Sequence, residues 1–128
     1  MNKEINVLSL FDGMSCGMIA LEKAGIKVGK YFASEIDKHA INVSKHNYPH
    51  IIHIGDVTKI QYAGGILYTE VGEFRTDIDL VIGGSPCQGF SMAGKQLAFD
   101  DPRSSLYFKF EEILKQVNPE YFCLRMLR

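Results

Sequence analysis

One cysteine stands in a sequence context that could make it a nucleophile. Cys87 follows Gly83-Gly84-Ser85-Pro86 and precedes Gln88-Gly89-Phe90-Ser91, a polar, glycine-containing stretch directly after an apolar, strand-like run. Proline restricts the backbone of such a loop and so fixes the direction of the following thiol. A thiolate held there could act as a nucleophile if a positive charge or a helix dipole stabilises it. The alternative is an inert, buried cysteine, which is the commoner role of a single cysteine.

Three further turns carry residues suited to a nucleoside ligand. In the turn from Phe11 to Gly17 (FDGMSCG), glycines allow a ligand to approach the backbone and the start of a helix. Glu35 ends the next strand-like run, where an acid can bind both ribose hydroxyls, or is favoured by the following helix dipole. Asp56, after the third run, could accept a hydrogen bond from an adenine amino group, or is an ordinary turn aspartate. Because the first turn lacks the spacing G-x-G-x-x-G, S-adenosylmethionine fits better than a dinucleotide.

Apolar runs and helical spacings alternate along the chain and predict the elements that position these residues. Strand-like runs cover 5–11, 28–36, 51–54, 78–82 and 121–124, and helical spacing covers 16–24, 37–47 and 104–117. Residues 58–76 are hard to assign, although their glycines and apolar alternation allow a hairpin. Strands alternating with helices predict a mostly parallel sheet with helices on both faces and ligands at the carboxyl ends of the strands. The candidate cysteine, acids and glycine turn all fall at those ends.

Length and composition are those of one globular domain. Of the 128 residues, 46% are hydrophobic and 23% are charged, a composition that excludes a mainly disordered chain. No apolar run reaches the roughly 20 residues that a membrane-spanning helix needs. The net charge of −1 predicts no strong attraction to nucleic acid from composition alone. Cys16, Cys87 and Cys123 form no disulfide framework, so a reducing cytoplasm is the expected setting. The four histidines lack metal-ligand spacing, and we expect no metal site.

The motifs, in this order, resemble those of the DNA cytosine-5 methyltransferases. FDGMSCG at 11–17 resembles the family's first motif, Glu35 the second, Gly55-Asp56-Val57 the third, and Gly84-Ser85-Pro86-Cys87-Gln88 the motif of the catalytic cysteine. Segments between Gly94 and Phe108 resemble the stretch that follows the cysteine in bacterial members, and a bacterial or phage source is expected. The resemblance covers residues 5–124 and implies an α/β fold with a Rossmann-like, S-adenosylmethionine-dependent methyltransferase sheet.

The resemblance also implies a role for each matching residue. Cys87 would be the catalytic nucleophile, while Glu35 would bind the ribose and Asp56 the adenine. The remaining cofactor contacts would come from the first turn, the apolar walls and the cysteine loop: Phe11, Asp12, Gly13, Met14, Cys16, Ile36, Val57, Pro86 and Leu106. Gln88, Ser91 and Arg103 would lie on the DNA side.

The family's reaction needs one more residue. The target cytosine is flipped out of the duplex, a thiolate adds to C6, C5 takes the methyl group from the sulfonium, and loss of the C5 proton expels the cysteine. A glutamate that holds N3 assists the addition. Asn118 to Leu124 leads up to the Glu-Asn-Val motif that carries this glutamate, but Arg125 stands in its place.

The sequence stops soon after Arg125, at Arg128, and lacks the family's later arginine motif, target-recognition domain and terminal segment. We therefore interpret residues 1–128 as the N-terminal part of a catalytic domain, truncated after about five strands, with little or no methylation activity alone. A frameshift after Leu124 is one hypothesis, since one added base can turn Arg-Met-Leu-Arg into Glu-Asn-Val-Lys.

Two alternatives stay open. One is a non-catalytic module that binds S-adenosylmethionine or pairs, as half of a split enzyme, with a complementing C-terminal chain. The other is a remnant that self-associates as a homo-oligomer, since a shortened sheet exposes an apolar edge. DNA is the expected partner, bound weakly or not at all without the missing half, and no membrane association is expected.

Overall fold

The computed structural model describes residues 4–11, 15–86 and 102–127 of the chain. Within these ranges the strands are β1 (Ile5–Leu10), β2 (Val28–Ser34), β3 (Ile52–Gly55), β4 (Gln61–Ala63), β5 (Ile66–Thr69), β6 (Gly72–Arg75), β7 (Leu80–Pro86) and β8 (Tyr121–Leu127). The helices are α1 (Cys16–Lys23), α2 (Lys38–Asn47) and α3 (Pro102–Val117), and a short 3-10 turn covers Val57–Lys59. None of the helices in these ranges is both long and apolar enough to cross a membrane.

Five strands form a parallel sheet in the order β3-β2-β1-β7-β8. The chain moves outward from β1 through β2 to β3, then returns to the other side of β1 with β7. In register, Ser9 of β1 lies between Ala33 of β2 and Ile82 of β7. The order therefore reverses at β1, and ligands of such sheets bind beside that point, at the carboxyl ends of the strands. This arrangement confirms the predicted α/β class and a parallel sheet of about five strands.

Helices cover both faces of this sheet, as predicted. Because successive side chains of a strand point to opposite faces, Val7 packs with α1 on one face while Leu8 packs with α3 on the other. Both helices lie close to the sheet at a glycine. A Cβ on Gly17 would lie 2.8 Å from the Tyr31 hydroxyl, and one on Gly83 would overlap the Phe110 ring. Glycine in the first motif, and directly before the cysteine motif, thus permits close helix packing.

Residues 61–75 form a three-stranded antiparallel sheet in the order β4-β5-β6. The sequence allowed a hairpin here, and the structure adds a third strand to it. The small sheet packs on the α3 side, where Leu67 is completely buried in the cluster that contains Leu8 and Ile113. The rings of Phe74 and Phe32 lie 5.4 Å apart. The antiparallel sheet is therefore part of the main hydrophobic core.

Several element boundaries differ from those the sequence predicts. The fourth parallel strand was expected to end at Ile82, but β7 continues through the glycines to Pro86 because β8 pairs with it as far as Leu127. β8 was expected to end at Leu124 and runs three pairs further along the same ladder, from Gly84↔Arg125 to Pro86↔Leu127. α3 begins at Pro102 rather than at Ser104, and proline suits the first turn of a helix.

Candidate functional site

A pocket of about 90 Å³ opens beside the carboxyl ends of β1, β2 and β3. Six residues line it: Phe11, Ser34, Glu35, Ile36, Asp56 and Val57. All of them except Ser34 are residues that the sequence motifs assign to cofactor binding. Three segments far apart along the chain therefore meet at the point where the resemblance expects a nucleoside.

The walls of the pocket are apolar. Val57 is buried in the core beneath it, and Phe11 packs against the same core cluster. Phe11 has a positive φ of 57°, a conformation that is uncommon for a large side chain and marks a constrained turn after β1. Ile36 keeps 71% of its surface exposed at the rim. These side chains could cover a flat, uncharged ring such as a purine.

Glu35 follows β2 directly, and its carboxylate is held at the start of the loop. Its Oε2 accepts hydrogen bonds from the backbone amides of Ile36, at 3.1 Å, and Asp37, at 3.0 Å. The neighbouring acid, Asp37, caps α2 by accepting from the amide of His39 at 2.9 Å. Asp37 thus provides the cap of α2, while Glu35 lines the pocket.

Asp56 caps a turn and also lines the pocket. Its Oδ1 accepts hydrogen bonds from the amide and the hydroxyl of Thr58, both at 2.9 Å, and so caps the 3-10 turn. Within the described ranges no residue donates to Oδ2. One carboxylate oxygen therefore shapes the turn, and the other can accept a hydrogen bond from a ligand.

Two residues at the pocket were missed by the sequence motifs. Ser34 lines the pocket and donates its hydroxyl to the carbonyl of Gly55 at 2.8 Å; a buried serine at the end of an apolar strand was the available signal. Glu70, in the turn between β5 and β6, accepts a hydrogen bond from the backbone amide of Asp56. Nothing in the sequence around Glu70 distinguishes it from an ordinary turn acid.

The first glycine turn is described only at its two ends. Asp12, Gly13 and Met14 lie outside the described residues. After them, Ser15 has a positive φ of 65°, its buried hydroxyl lies 2.5 Å from that of Ser44, and Cys16 begins α1. The start of α1 is thereby tied to α2.

The residues that the resemblance assigns to catalysis and to DNA contact lie mostly outside the described ranges. Cys87, Gln88 and Ser91 lie outside the described residues. Pro86, which precedes Cys87, is the last residue of β7, and β7 runs beside β1, with Gly83 opposite Leu10. β7 therefore ends at the same edge of the sheet as the pocket, and Cys87 is the next residue in the sequence.

The other predicted positions on this side belong to α3 and β8. Arg103 and Leu106 are in the first turns of α3. Arg125, which the resemblance aligns with the family's glutamate, pairs with Gly84 of β7. Among the described residues, no three His, Cys, Asp or Glu side chains form a group that could hold a metal ion.

Comparisons with known proteins agree with this geometry. The chain is 35% identical to the type II methyltransferase M.Eco47II of Escherichia coli over 99% of its own length. It is 38% identical to the orphan methyltransferase M.Rho11sI of the Bacillus phage rho11s over 98% of its length. It spans only 28% and 23% of the lengths of those relatives.

Solved structures show the same fold. The Dnmt2 methyltransferase of S. pombe matches 98% of the chain with a TM-score of 0.68 at 20% identity, and the chain covers 34% of it. A Spodoptera frugiperda DNMT2 mutant matches with a TM-score of 0.66 at 23% identity. The sequence profile of the C-5 cytosine-specific DNA methylases matches residues 5–124. Because that match takes in nearly the whole sequence, the chain belongs to the family of C-5 cytosine-specific DNA methylases.

Proposed function

We propose that this chain binds S-adenosylmethionine and carries the nucleophile of a DNA cytosine-5 methyltransferase. The pocket beside β1, β2 and β3 is the observation that carries the proposal, because two carboxylates and three apolar side chains from three separate segments meet there. Bound S-adenosylmethionine would supply a methyl group on a sulfonium. The bacterial and phage relatives support a cytoplasmic setting, where the DNA substrate is found.

In this proposal, different pocket residues contact different parts of the nucleoside. Glu35 accepts hydrogen bonds from the ribose hydroxyls, with its carboxylate steadied by the amides of Ile36 and Asp37. Oδ2 of Asp56 accepts from the adenine amino group, while Phe11, Ile36 and Val57 contact the ring. The turn from Asp12 to Cys16 holds the methionine end, with Pro86 and Leu106 completing the surroundings.

The nucleophile in this proposal is Cys87. Its thiolate adds to C6 of a flipped cytosine, and the bond to sulfur breaks again when the C5 proton leaves after methylation. Gln88, Ser91 and Arg103 contact the DNA. Arg125 occupies the position of the acid that assists the addition at N3, and an arginine gives up no proton near neutral pH. Loss of one such group raises a barrier by about 3–4 kcal/mol, so we expect little or no methylation by residues 1–128 alone.

Isothermal titration of the chain with S-adenosylmethionine tests the binding half of the proposal. We expect saturable binding with one ligand per chain, weakened at least about tenfold by Glu35→Ala, since hydrogen bonds to a charged group are lost. Circular dichroism of both proteins provides the control for folding. A folded wild-type chain that takes up no S-adenosylmethionine would contradict the proposal.

An assay with tritiated S-adenosylmethionine and a cytosine-containing duplex tests the catalytic half. We expect no label in the DNA above the level given by Cys87→Ser. Transfer by the wild-type chain alone would show that the N3 acid and the rest of the relatives' length are dispensable.

A second candidate function, half of a split enzyme, is favoured by the surface at the start of β8. Tyr121 and Phe122 are 56% and 64% exposed, on a strand paired with β7 at one end of the sheet order. Since relatives such as M.Eco47II are more than three times as long, we propose that the matching remainder of a methyltransferase covers this surface. Light scattering after mixing the chain with that remainder of M.Eco47II should show a one-to-one complex. A stable homodimer would instead favour self-association.

A further inference from the structure

The turn between β5 and β6 brings an acidic side chain against the backbone of the Gly55-Asp56 turn, outside the pocket. Oε2 of Glu70 accepts a hydrogen bond from the backbone amide of Asp56. The same carboxylate packs against Gly55, where a Cβ would overlap it. Gly55 has a φ of +82°, a conformation that favours glycine, and an added Cβ would have to displace the Glu70 side chain. Glu70 therefore contacts the turn that carries the adenine-binding acid, although it does not line the pocket.

The peptide unit between Gly55 and Asp56 is held from both sides. Its carbonyl accepts a hydrogen bond from Ser34, at the end of β2, at 2.8 Å. Its amide donates to Glu70, which comes from the antiparallel sheet. A peptide plane fixed at both its oxygen and its nitrogen has little freedom to rotate, so the direction of the Asp56 side chain depends on both contacts.

The turn that carries Glu70 is itself well fixed. Oγ1 of Thr69 accepts from the amides of Val71 and Gly72, both at 3.1 Å, and donates to the carbonyl of Gly72 at 2.8 Å. Behind the turn, β5 is anchored by the buried Leu67. Glu70 is thus presented by an element that the core holds in place.

We propose that Glu70 is a positioning residue for the nucleoside site. It holds the Asp56 amide so that Oδ2 of Asp56 meets the exocyclic amino group of adenine, and it acts as a hydrogen-bond acceptor rather than through its charge. This inference rests on the proposed function, because it assumes that the pocket takes the adenosine of S-adenosylmethionine.

A pair of ligands that differ at one group tests the inference. S-adenosylhomocysteine carries the amino group, and S-inosylhomocysteine carries a carbonyl oxygen in its place. We expect the wild-type chain to prefer the amino ligand at least about tenfold in calorimetric titration, because a carboxylate accepts from an amine and repels a carbonyl oxygen. Glu70→Ala should reduce the preference to less than about threefold, as Asp56→Ala does. Glu70→Gln should keep it, because its amide oxygen still accepts from the Asp56 amide.

The matched control is Glu73→Ala, which removes another exposed carboxylate from the same antiparallel sheet, on β6 opposite Tyr68. It should leave the preference unchanged. If Glu70 had only a structural role, Glu70→Ala would lower the affinity for both ligands equally and leave the ratio of the two affinities unchanged. The affinity ratio therefore separates a positioning role from a structural one. If Glu70→Ala does not fold, Glu70→Asp, whose carboxylate ends one carbon short, is judged by the same ratio.

The outcomes distinguish this inference from the proposed function. A folded Glu70 variant that retains the wild-type preference would overturn the positioning role and leave the proposed function standing. A wild-type chain that binds neither ligand, or binds both equally, would overturn the assignment of the pocket itself. Loss of the preference in Glu70→Gln as well as in Glu70→Ala would contradict the acceptor role.

Discussion

The two sheets contribute to the pocket in different ways. Among the residues that the structure describes, those that line the pocket all come from the parallel sheet, at the end of β2 and in the turns after β1, β2 and β3. The antiparallel sheet supplies Glu70, which contacts the backbone of Asp56 from outside the pocket. The contacting residues follow from the layout of a parallel α/β sheet, whose strand ends are the place for ligands. The contact that holds the backbone of Asp56 comes from the antiparallel sheet, which a parallel α/β sheet does not require. The geometry of a site can therefore depend on a neighbouring element that carries no motif of its own.

The largest expected effect concerns whether the antiparallel sheet belongs to the core. Leu67 of β5 is 0% exposed and belongs to the same core cluster as Leu8 of β1. Leu67→Ala should therefore reduce the free energy of unfolding by about 2–5 kcal/mol, the usual cost of truncating a buried leucine to alanine. Urea denaturation measures this loss, with Leu8→Ala as the matched change in the parallel sheet. If Leu67→Ala cost less than about 1 kcal/mol while Leu8→Ala cost the full amount, the antiparallel sheet would not be part of the main hydrophobic core.

The next effect separates two acids in the turn after β2. Asp37→Ala should lower the free energy of unfolding by about 1 kcal/mol, because it removes the cap of α2, while the affinity for S-adenosylmethionine changes less than about twofold. Glu35→Ala should lower that affinity at least about tenfold. Thermal melts and titrations of both variants give the comparison. Equal affinity losses in the two variants would mean that the loop as a whole, and not Glu35, determines binding.

A third prediction concerns the contact between the two sheets at Gly55. Gly55→Ala should cost about 1–3 kcal/mol of unfolding free energy, since it combines a positive φ with overlap of the Glu70 carboxylate. Gly64→Ala is the control, because Gly64 has a φ of +59° but open space around it. The cost of Gly55→Ala should fall in a Glu70→Ala background. Equal costs for the two glycines would mean that the packing against Glu70 is loose.

The smallest effect lies inside the antiparallel region. The hydroxyl of Tyr62 donates to the carbonyl of Thr76 at 2.8 Å, so Tyr62→Phe should lower the free energy of unfolding by about 1 kcal/mol. Burial, followed by the charges of Asp77 and Asp79, raises the pKa of the Tyr62 phenol above its ordinary value of 10.0.

This shift gives the effect of Tyr62→Phe a pH dependence. A raised pKa in the folded state means that the unfolded chain ionises first, so the contribution of Tyr62 is complete below pH 10 and is lost as the pH rises through the folded-state pKa. The difference between wild type and Tyr62→Phe in urea melts should therefore narrow above pH 10. A stability difference that widens above pH 10 would mean that folding lowers the pKa of Tyr62 instead of raising it.

The sequence predicted the parallel sheet and five of the six described residues that line the pocket because both leave a local signal. β1 and β2 are apolar runs, Glu35 lies at the end of a predicted strand, and Asp56 comes two residues after another. β4 to β6 are strands of three or four residues separated by glycines, too short for a clear periodicity. The contact of Glu70 with Asp56 depends on how one sheet packs on the other, which no spacing within 58–76 encodes. The ends of β7 and β8 likewise depend on the pairing of the two strands with each other, which the local sequence of neither strand encodes.

The most direct test of the account is a titration of the nitrogen-15-labelled chain with S-adenosylmethionine, followed by amide chemical shifts. We expect the largest shifts at the turns around Glu35 and Asp56, including Ile36 and Val57, and small shifts at Tyr121 and Phe122 of β8. We also expect a shift at the Glu70 turn, through the amide of Asp56. No shifts, or shifts confined to residues away from the ends of β1, β2 and β3, would contradict the assignment of this pocket as the nucleoside site.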